Sequence, residues 1–361
     1  MSAAADTRRD DLNAWAGREA QALWPRAQWS SSLEVVSGDA SFRRYFRLAN
    51  TDAQAAEPPS LIAVDAPPAS EDSAAFIDLA KRLIAANVRV PRVFAFDLQA
   101  GWMLLEDFGD QLLLPALRAA EAKQAAALYA PALDALIALQ QGVATAELPP
   151  FDGAALQAEM QLFTQWFCAD LLGLDLSSEE LALVERTQSM LAAAALAQPQ
   201  VAVHRDYHSR NLMLLGDGDL GVIDFQDAMA GAYTYDLVSL LRDCYIEWPP
   251  AQVQHWAEHF YDRLAVSQLN AQRSKEQFLK DFDLMGLQRH MKVLGIFARL
   301  HLRDHKSAYL ADIPLVLRYF SDVAAQQPEL AEFALWFAKR VRPRAHAVLG
   351  ELGVHCGDGD E

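Results

Sequence analysis

The sequence predicts an α+β protein of two lobes, a small antiparallel sheet at the N-terminal end and a larger, mostly helical C-terminal part. Short alternating apolar runs bounded by turn residues are concentrated between Leu33 and Leu105. Beyond residue 110 the apolar positions recur every three or four residues in Ala-rich stretches. The chain has 361 residues, 52% of them hydrophobic and 22% charged, which excludes disorder and suggests about two to three units of ordinary domain size. No apolar stretch approaches the length of a membrane span, so no membrane association is expected.

Lys and Arg total 31 against 48 Asp and Glu, a formal charge of -17. Such a surface repels a phosphate backbone, which argues against nucleic acid as a partner. Nothing in the sequence calls for an obligate protein partner. Cys168, Cys244 and Cys356 are far apart and odd in number, and none has a metal-ligand spacing, which fits a reducing cytoplasm. Met1 to Asn13 is charged and has no apolar core of signal-peptide length, so a cytoplasmic protein is expected.

Within the first lobe, residues 1–109, Leu12, Trp15, Ala16, Ala20, Leu23 and Trp24 mark an amphipathic helix ahead of the sheet. Leu33 to Leu48 reads as two strands around Ser37-Gly38-Asp39-Ala40-Ser41, and Leu61 to Val64 as a third. Phe76, Leu79, Leu83 and Ile84 give the helical period from Ser70 to Asn87, opened by the capping residues Ser70, Glu71 and Asp72. Val93 to Phe96 and Trp102 to Leu105 form a hairpin that runs into Glu106-Asp107-Phe108-Gly109, where the lobe boundary is placed. The second lobe, residues 110–361, has helices over 121–141 and 179–198, then an apolar strand at Val201 to His204. Leu212 to Leu215 and Leu220 to Ile223 flank Gly216-Asp217-Gly218-Asp219, a hairpin turn, and helices return from Thr234.

The stretch that carries chemistry is His204-Arg205-Asp206-Tyr207-His208-Ser209-Arg210-Asn211, followed thirteen residues after the Asn by Asp224 within Ile223-Asp224-Phe225. It matches H-R-D-x-x-x-x-N and a later D-F. Phosphoryl transfer needs a carboxylate at the attacking hydroxyl and hard oxygen ligands for magnesium beside the phosphates. Asp206 fits the first role, Asn211 and Asp224 the second. His204 and Arg205 are expected to brace the loop. His208 is either a substrate contact or a surface residue, and Asp227 either binds substrate hydroxyls or caps a turn.

With these motifs the sequence resembles the aminoglycoside phosphotransferase and choline kinase-like superfamily, which shares the protein-kinase fold. It is most similar to the branch of anomeric kinases for N-acetylmuramate and N-acetylglucosamine in bacterial cell-wall recycling. That likeness rests on Gly38 to Arg47, Asp65-Ala66-Pro67-Pro68, His204 to Asn211 and Ile223 to Asp227. The resemblance implies ATP and Mg2+ as cofactors, with Gly38, Asp39, Ala40 and Ser41 turning over the phosphates. It also implies that backbone around Glu106 to Phe108 receives adenine and that Asp236, at a helix start, braces the catalytic loop.

Two departures stand out. Ile62-Ala63-Val64-Asp65 places an aspartate where a third-strand lysine is expected, so a second-strand base is needed instead; of Arg43, Arg44 and Arg47, Arg44 is assigned. The phosphate loop also has one Gly where three are usual. Only eight residues separate Asp227 from Asp236, too few for a peptide-binding activation segment, which favours a small-molecule acceptor. Arg289, His290, Arg299, His301, Arg303, Asp304 and His305 form a polar cluster expected to lie mostly on a helix surface, with Arg299 and Arg303 as candidates for an acceptor carboxylate. The expected function is an ATP-dependent sugar kinase acting on an anomeric hydroxyl. Its rivals are an aminoglycoside or other small-molecule phosphotransferase and, from another class, a catalytically weak nucleotide-binding scaffold.

Overall fold

Strand alternation builds the first part of the chain, seen in a computed structural model that describes residues 6–37, 42–52, 58–216, 218–264 and 273–354. Helix α1 (Thr7–Leu23) is capped by the Asp6 carboxylate, which accepts from the Arg9 amide. Strands β1 (Glu34–Ser37), β2 (Arg44–Ala49), β3 (Ser60–Asp65), β4 (Val93–Asp97) and β5 (Trp102–Glu106) form one antiparallel sheet in the order β1-β2-β3-β5-β4. Because successive side chains point to opposite faces, Phe46, Leu48, Leu61, Ala63 and Leu104 share one face, and they pack with Leu12, Trp15, Ala16 and Ala20 of α1. Tyr45, Arg47, Ile62, Val64, Met103 and Leu105 take the other face by the same alternation. Helix α2 (Ser73–Ala85) follows β3, with Asp72 as its cap.

The remaining elements are mostly helical. Helices α3 (Leu113–Ala119), α4 (Ala122–Gly142) and α5 (Gly153–Leu162) lead into a π-helical segment, Phe163–Leu171, and then α6 (Ser178–Leu196). Strand β6 (Gln200–Val203) follows, then the two-stranded pair β7 (Leu212–Leu214) and β8 (Leu220–Val222), and β9 (Met229–Ala232). Helices α7 (Tyr235–Leu241), α8 (Pro250–Leu264), α9 (Lys275–Leu302), α10 (Ile313–Ala325), α11 (Ala331–Trp336) and α12 (Arg342–Glu351) complete the chain. The contacts divide it into two compact units, Met1–Leu112 with Met213–Gln226, and Leu113–Leu212 with Asp227–Glu361. The β7–β8 hairpin thus largely groups with the sheet-bearing unit, although sequence order puts it among the helices.

The composition is α+β, as expected. Strand β9 was not anticipated; it lies in the short stretch after Asp227 and pairs antiparallel with β6 from Gln200↔Ala232 to Val203↔Met229. Helix α9 also corrects a reading. Arg289 and His290 are buried in it rather than displayed on a surface. The helix runs close to its neighbours, and at Gly295 an added Cβ would lie 2.3 Å from the Leu162 carbonyl carbon. Among the described residues no helix is long and apolar enough to cross a membrane.

Candidate active site

The candidate residues divide between the two units. In the helical unit, β6 delivers the chain into His204, and the loop that follows is fixed by hydrogen bonds at nearly every residue. The fully buried Asp236 carboxylate, in the first turn of α7, accepts from the His204 amide at 2.6 Å and the Arg205 amide at 3.0 Å. Burial raises this carboxyl to about 6, against the pull of His204 and the two amides. Arg205 itself has φ +76°, a left-handed conformation uncommon outside glycine that turns the chain sharply before Asp206.

The Asp206 carbonyl accepts from the His208 amide at 3.0 Å and from Asn211 Nδ2 at 3.0 Å, which folds the loop back on itself. Tyr207 is buried and donates to the Ala132 carbonyl of α4 at 2.7 Å. Ser209 donates from its amide (2.9 Å) and its hydroxyl (2.5 Å) to Asp243. The Arg210 guanidinium lies 3.5 Å from the Tyr245 ring centroid, and the His208 ring meets the same tyrosine edge-on at 5.3 Å. A loop held this firmly keeps Asp206 in one place, which is the main contribution a phosphoryl-transfer site makes.

Sequence reasoning missed what lies beneath the loop. Glu159 of α5 accepts from Arg205 Nη2 at 2.7 Å and pairs with Lys292 of α9 at 2.9 Å, and Lys292 donates to the Tyr235 hydroxyl at 2.9 Å. Burial alone would raise the Asp206 carboxyl. The combined field of Lys292, His208, His204 and Arg289 overrides it and holds the group down to about 2, so it is ionised across the working range of pH. The one available signal was a lone Lys in the otherwise apolar run around Met291 and Val293 of a helix.

The other predicted acceptor residues lie apart from this network. Asp227 is exposed. Arg303 is exposed and joined to Asp304 at 2.7 and 2.9 Å. Arg299 is some ten residues, about three turns or about 15 Å, further along α9 than Arg289. Its charge is disfavoured by burial and by Arg303.

In the sheet-bearing unit, Asp224 follows β8 with φ +64° and accepts from Gln226 Nε2 at 2.6 Å. Phe225 is buried and stacks on Phe76 of α2, ring centroids 4.7 Å apart. Glu106 and Phe108 are engaged by the protein itself. Arg89 grips the Glu106 carboxylate through two bonds, of 2.6 and 2.5 Å, and the Glu106 amide donates to the Arg92 carbonyl at 2.9 Å. The Phe108 ring lies 4.8 Å from the Arg89 guanidinium and against Gly221, where an added Cβ would come within 2.5 Å of it. Arg47 fixes the next turn through Asp107 and Asp110. Gly38, Asp39, Ala40 and Ser41, the predicted phosphate turn, lie outside the described residues.

The second-strand assignment changes. Arg44 and Asp65 are register partners, and Asp65 shares the α1-facing side with Ala63. There Asp65, wholly buried, is bound by Arg8 of α1 and by Arg44 at 2.6 Å, and Arg44 also holds Asp6. Asp65 is therefore a structural anion under α1 rather than a residue facing phosphates. Arg43, one residue earlier, is buried instead beside Glu71 at 3.1 Å, its guanidinium 5.2 Å from the Phe76 ring.

Among the described residues no three His, Cys, Asp or Glu side chains form a cage for a metal. Magnesium in a phosphoryl-transfer site is commonly held through one or two protein ligands together with substrate phosphates. Asn211, whose amide nitrogen is committed to the Asp206 carbonyl, and Asp224 each carry a hard oxygen of that kind.

Residues 32–269 match a family of phosphotransferase enzymes, APH. The chain is 42% identical over 331 residues to the N-acetylmuramate/N-acetylglucosamine kinase of Pseudomonas aeruginosa, covering 91% of this chain and 95% of that one. It is 37% identical over 312 residues to the protein of the same name from Neisseria meningitidis, covering 86% and 90%. Among solved structures, a choline kinase from Cryptosporidium parvum has a TM-score of 0.57 at 12% identity, over 91% of this chain and all of that one. An ADP-bound aminoglycoside phosphotransferase, APH(2'')-Ib, has 0.53 at 12% identity, over 86% and 98%. These structural likenesses show a shared fold.

Proposed function

The chain belongs to the APH family of phosphotransferase enzymes, and we propose that it transfers the γ-phosphoryl group of ATP to the anomeric hydroxyl of N-acetylmuramate or N-acetylglucosamine. The observation that carries the transfer is the pinned, ionised Asp206. In this reading Asp206 accepts a hydrogen bond from the sugar hydroxyl and orients its oxygen toward phosphorus. A carboxyl held near 2 is a weak base, so the proton moves late, once the phosphorus to leaving-oxygen bond is largely broken, as a loose transition state allows. Asn211 and Asp224 would hold magnesium, which neutralises charge on the phosphates when bound. Arg44 is committed to Asp65 and Asp6 under α1, so Arg43, which precedes β2 and is itself paired with Glu71, replaces it as the candidate base for the phosphate end.

The acceptor is inferred from the relatives' names over nearly the whole chain, and recycling of cell-wall amino sugars in the cytoplasm is the setting this reading gives it. The buried, unpaired thiols Cys168 and Cys244 suit a reducing compartment. The scaffold alternative loses its motive, since Asp65 belongs to the α1 interface. Phosphorus NMR of products formed from Mg-ATP with N-acetylmuramate, N-acetylglucosamine, kanamycin or choline tests the reading. A sugar 1-phosphate is expected. Phosphate on kanamycin would move the function to drug modification, and no product from any acceptor would favour the scaffold.

A further inference from the structure

Three Lys or Arg side chains among the described residues are nearly withdrawn from solvent: Arg43, Arg289 and Lys292, at 4%, 3% and 7% exposure. Arg43 has Glu71 and Lys292 has Glu159. Arg289 has no carboxylate within ion-pair distance among the described residues, and its Nη1 is buried without a hydrogen-bond partner. The acidic groups around it favour its charge on balance, yet a buried guanidinium nitrogen left without a hydrogen-bond partner is costly.

The groups that face Arg289 from the elements around it are Asp206 of the catalytic loop, Tyr235 of α7, and Asp243 and Cys244 just beyond α7. Asp243 is already occupied by the Ser209 amide and hydroxyl and by the Tyr245 amide. Asp206 and Arg289 lie in each other's field without pairing. A guanidinium in the field of the carboxylate proposed to orient the acceptor, with one buried nitrogen unpartnered, can give a charge-assisted bond to a carboxylate ligand.

We propose that Arg289 is a specificity-determining residue that binds a carboxylate on the acceptor, and so favours an amino sugar carrying an acidic ether substituent over its neutral counterpart. The assignment replaces Arg303, whose charge is taken by Asp304, and Arg299, which stands further along α9. It rests on the acceptor reading above. N-acetylmuramate carries such a carboxylate and N-acetylglucosamine does not, so the two sugars separate this role from a structural one.

The test compares kcat/KM for both sugars in the wild type, Arg289→Gln and Arg289→Lys. Loss of a charge-assisted bond to the carboxylate should shift the ratio of kcat/KM toward N-acetylglucosamine by about tenfold or more in Arg289→Gln, with partial recovery in Arg289→Lys. A fall for both sugars with the ratio unmoved would overturn the inference and give Arg289 a role toward the phosphates or the loop. A second measurement needs no variant: the wild type should use the methyl ester of N-acetylmuramate about tenfold less efficiently than the free acid, and equal use would overturn the inference. If the wild type phosphorylates neither sugar, the acceptor reading fails and takes this inference with it; activity on both with an unmoved ratio removes this inference alone.

Discussion

Lys292 is the residue whose removal the structure makes most informative. Its ammonium sits 2.9 Å from Glu159 and 2.9 Å from the Tyr235 hydroxyl, with both members of the ion pair largely buried. Deleting one partner of a buried pair typically costs about 3–5 kcal/mol, because the other charge is left without compensation. Arg205 remains on the same Glu159 oxygen at 2.7 Å, so the expected cost of Lys292→Met is at the lower end, about 3 kcal/mol. Glu159→Gln should cost a similar amount, about 3 kcal/mol. The double variant should fall short of the sum by about 2 kcal/mol, since the second change removes a charge the first has already stranded. Urea denaturation of the four proteins measures the cycle. Additivity within about 0.5 kcal/mol would refute the coupling. The same substitution removes the leading cationic contribution to the Asp206 field, so its carboxyl should rise. In the proposed role that group acts ionised; the acid limb of kcat/KM should therefore move to higher pH in Lys292→Met, and an unmoved limb would show that the field does not originate there.

Three further outcomes follow from single contacts. Asp224→Ala should weaken magnesium-dependent nucleotide binding, read by titrating Mg-ATP against ATP with chelator, and equal affinities in wild type and variant would remove Asp224 from the metal site. Asp236 is raised to about 6 by burial, so it favours the fold below about pH 4 and loses that contribution as pH rises through 6. The stability of the wild type relative to Asp236→Asn should accordingly fall by about 2–3 kcal/mol from pH 4 to 7, and a pH-independent difference would contradict this. Gly221→Ala meets the Phe108 ring and Gly295→Ala meets backbone at Leu162. The first should cost about 1–3 kcal/mol and be relieved by Phe108→Ala, whereas the second should cost more because backbone cannot rotate away; thermal unfolding distinguishes them.

What could be read from the sequence was set by local pattern. Alternation exposed the sheet, three-and-four spacing exposed the helices, and the spacing from His204 to Asn211 and on to Asp224 marked the candidate catalytic segment. Side-chain facing depends on register, which a sequence does not print. Arg43 and Arg44 are adjacent, yet Arg44 faces α1 and Asp65 while Arg43 pairs with Glu71. Strand β9 is four residues of Met, Ala and Gly whose only reason to extend is pairing with β6. Arg289, Lys292 and Glu159 come from helices over a hundred residues apart in the chain, and their burial is a tertiary property that the polar run in α9 disguised.

The account turns on Asp206, and single-turnover kinetics of Asp206→Asn with a saturating amino-sugar acceptor tests it most directly. The asparagine keeps the shape and the loop but loses the charge that, in the proposed role, orients the hydroxyl and takes its proton. The rate should fall by about 100-fold or more while the affinity for Mg-ATP, measured separately, stays within about twofold. Transfer at the wild-type rate would contradict the assignment of Asp206.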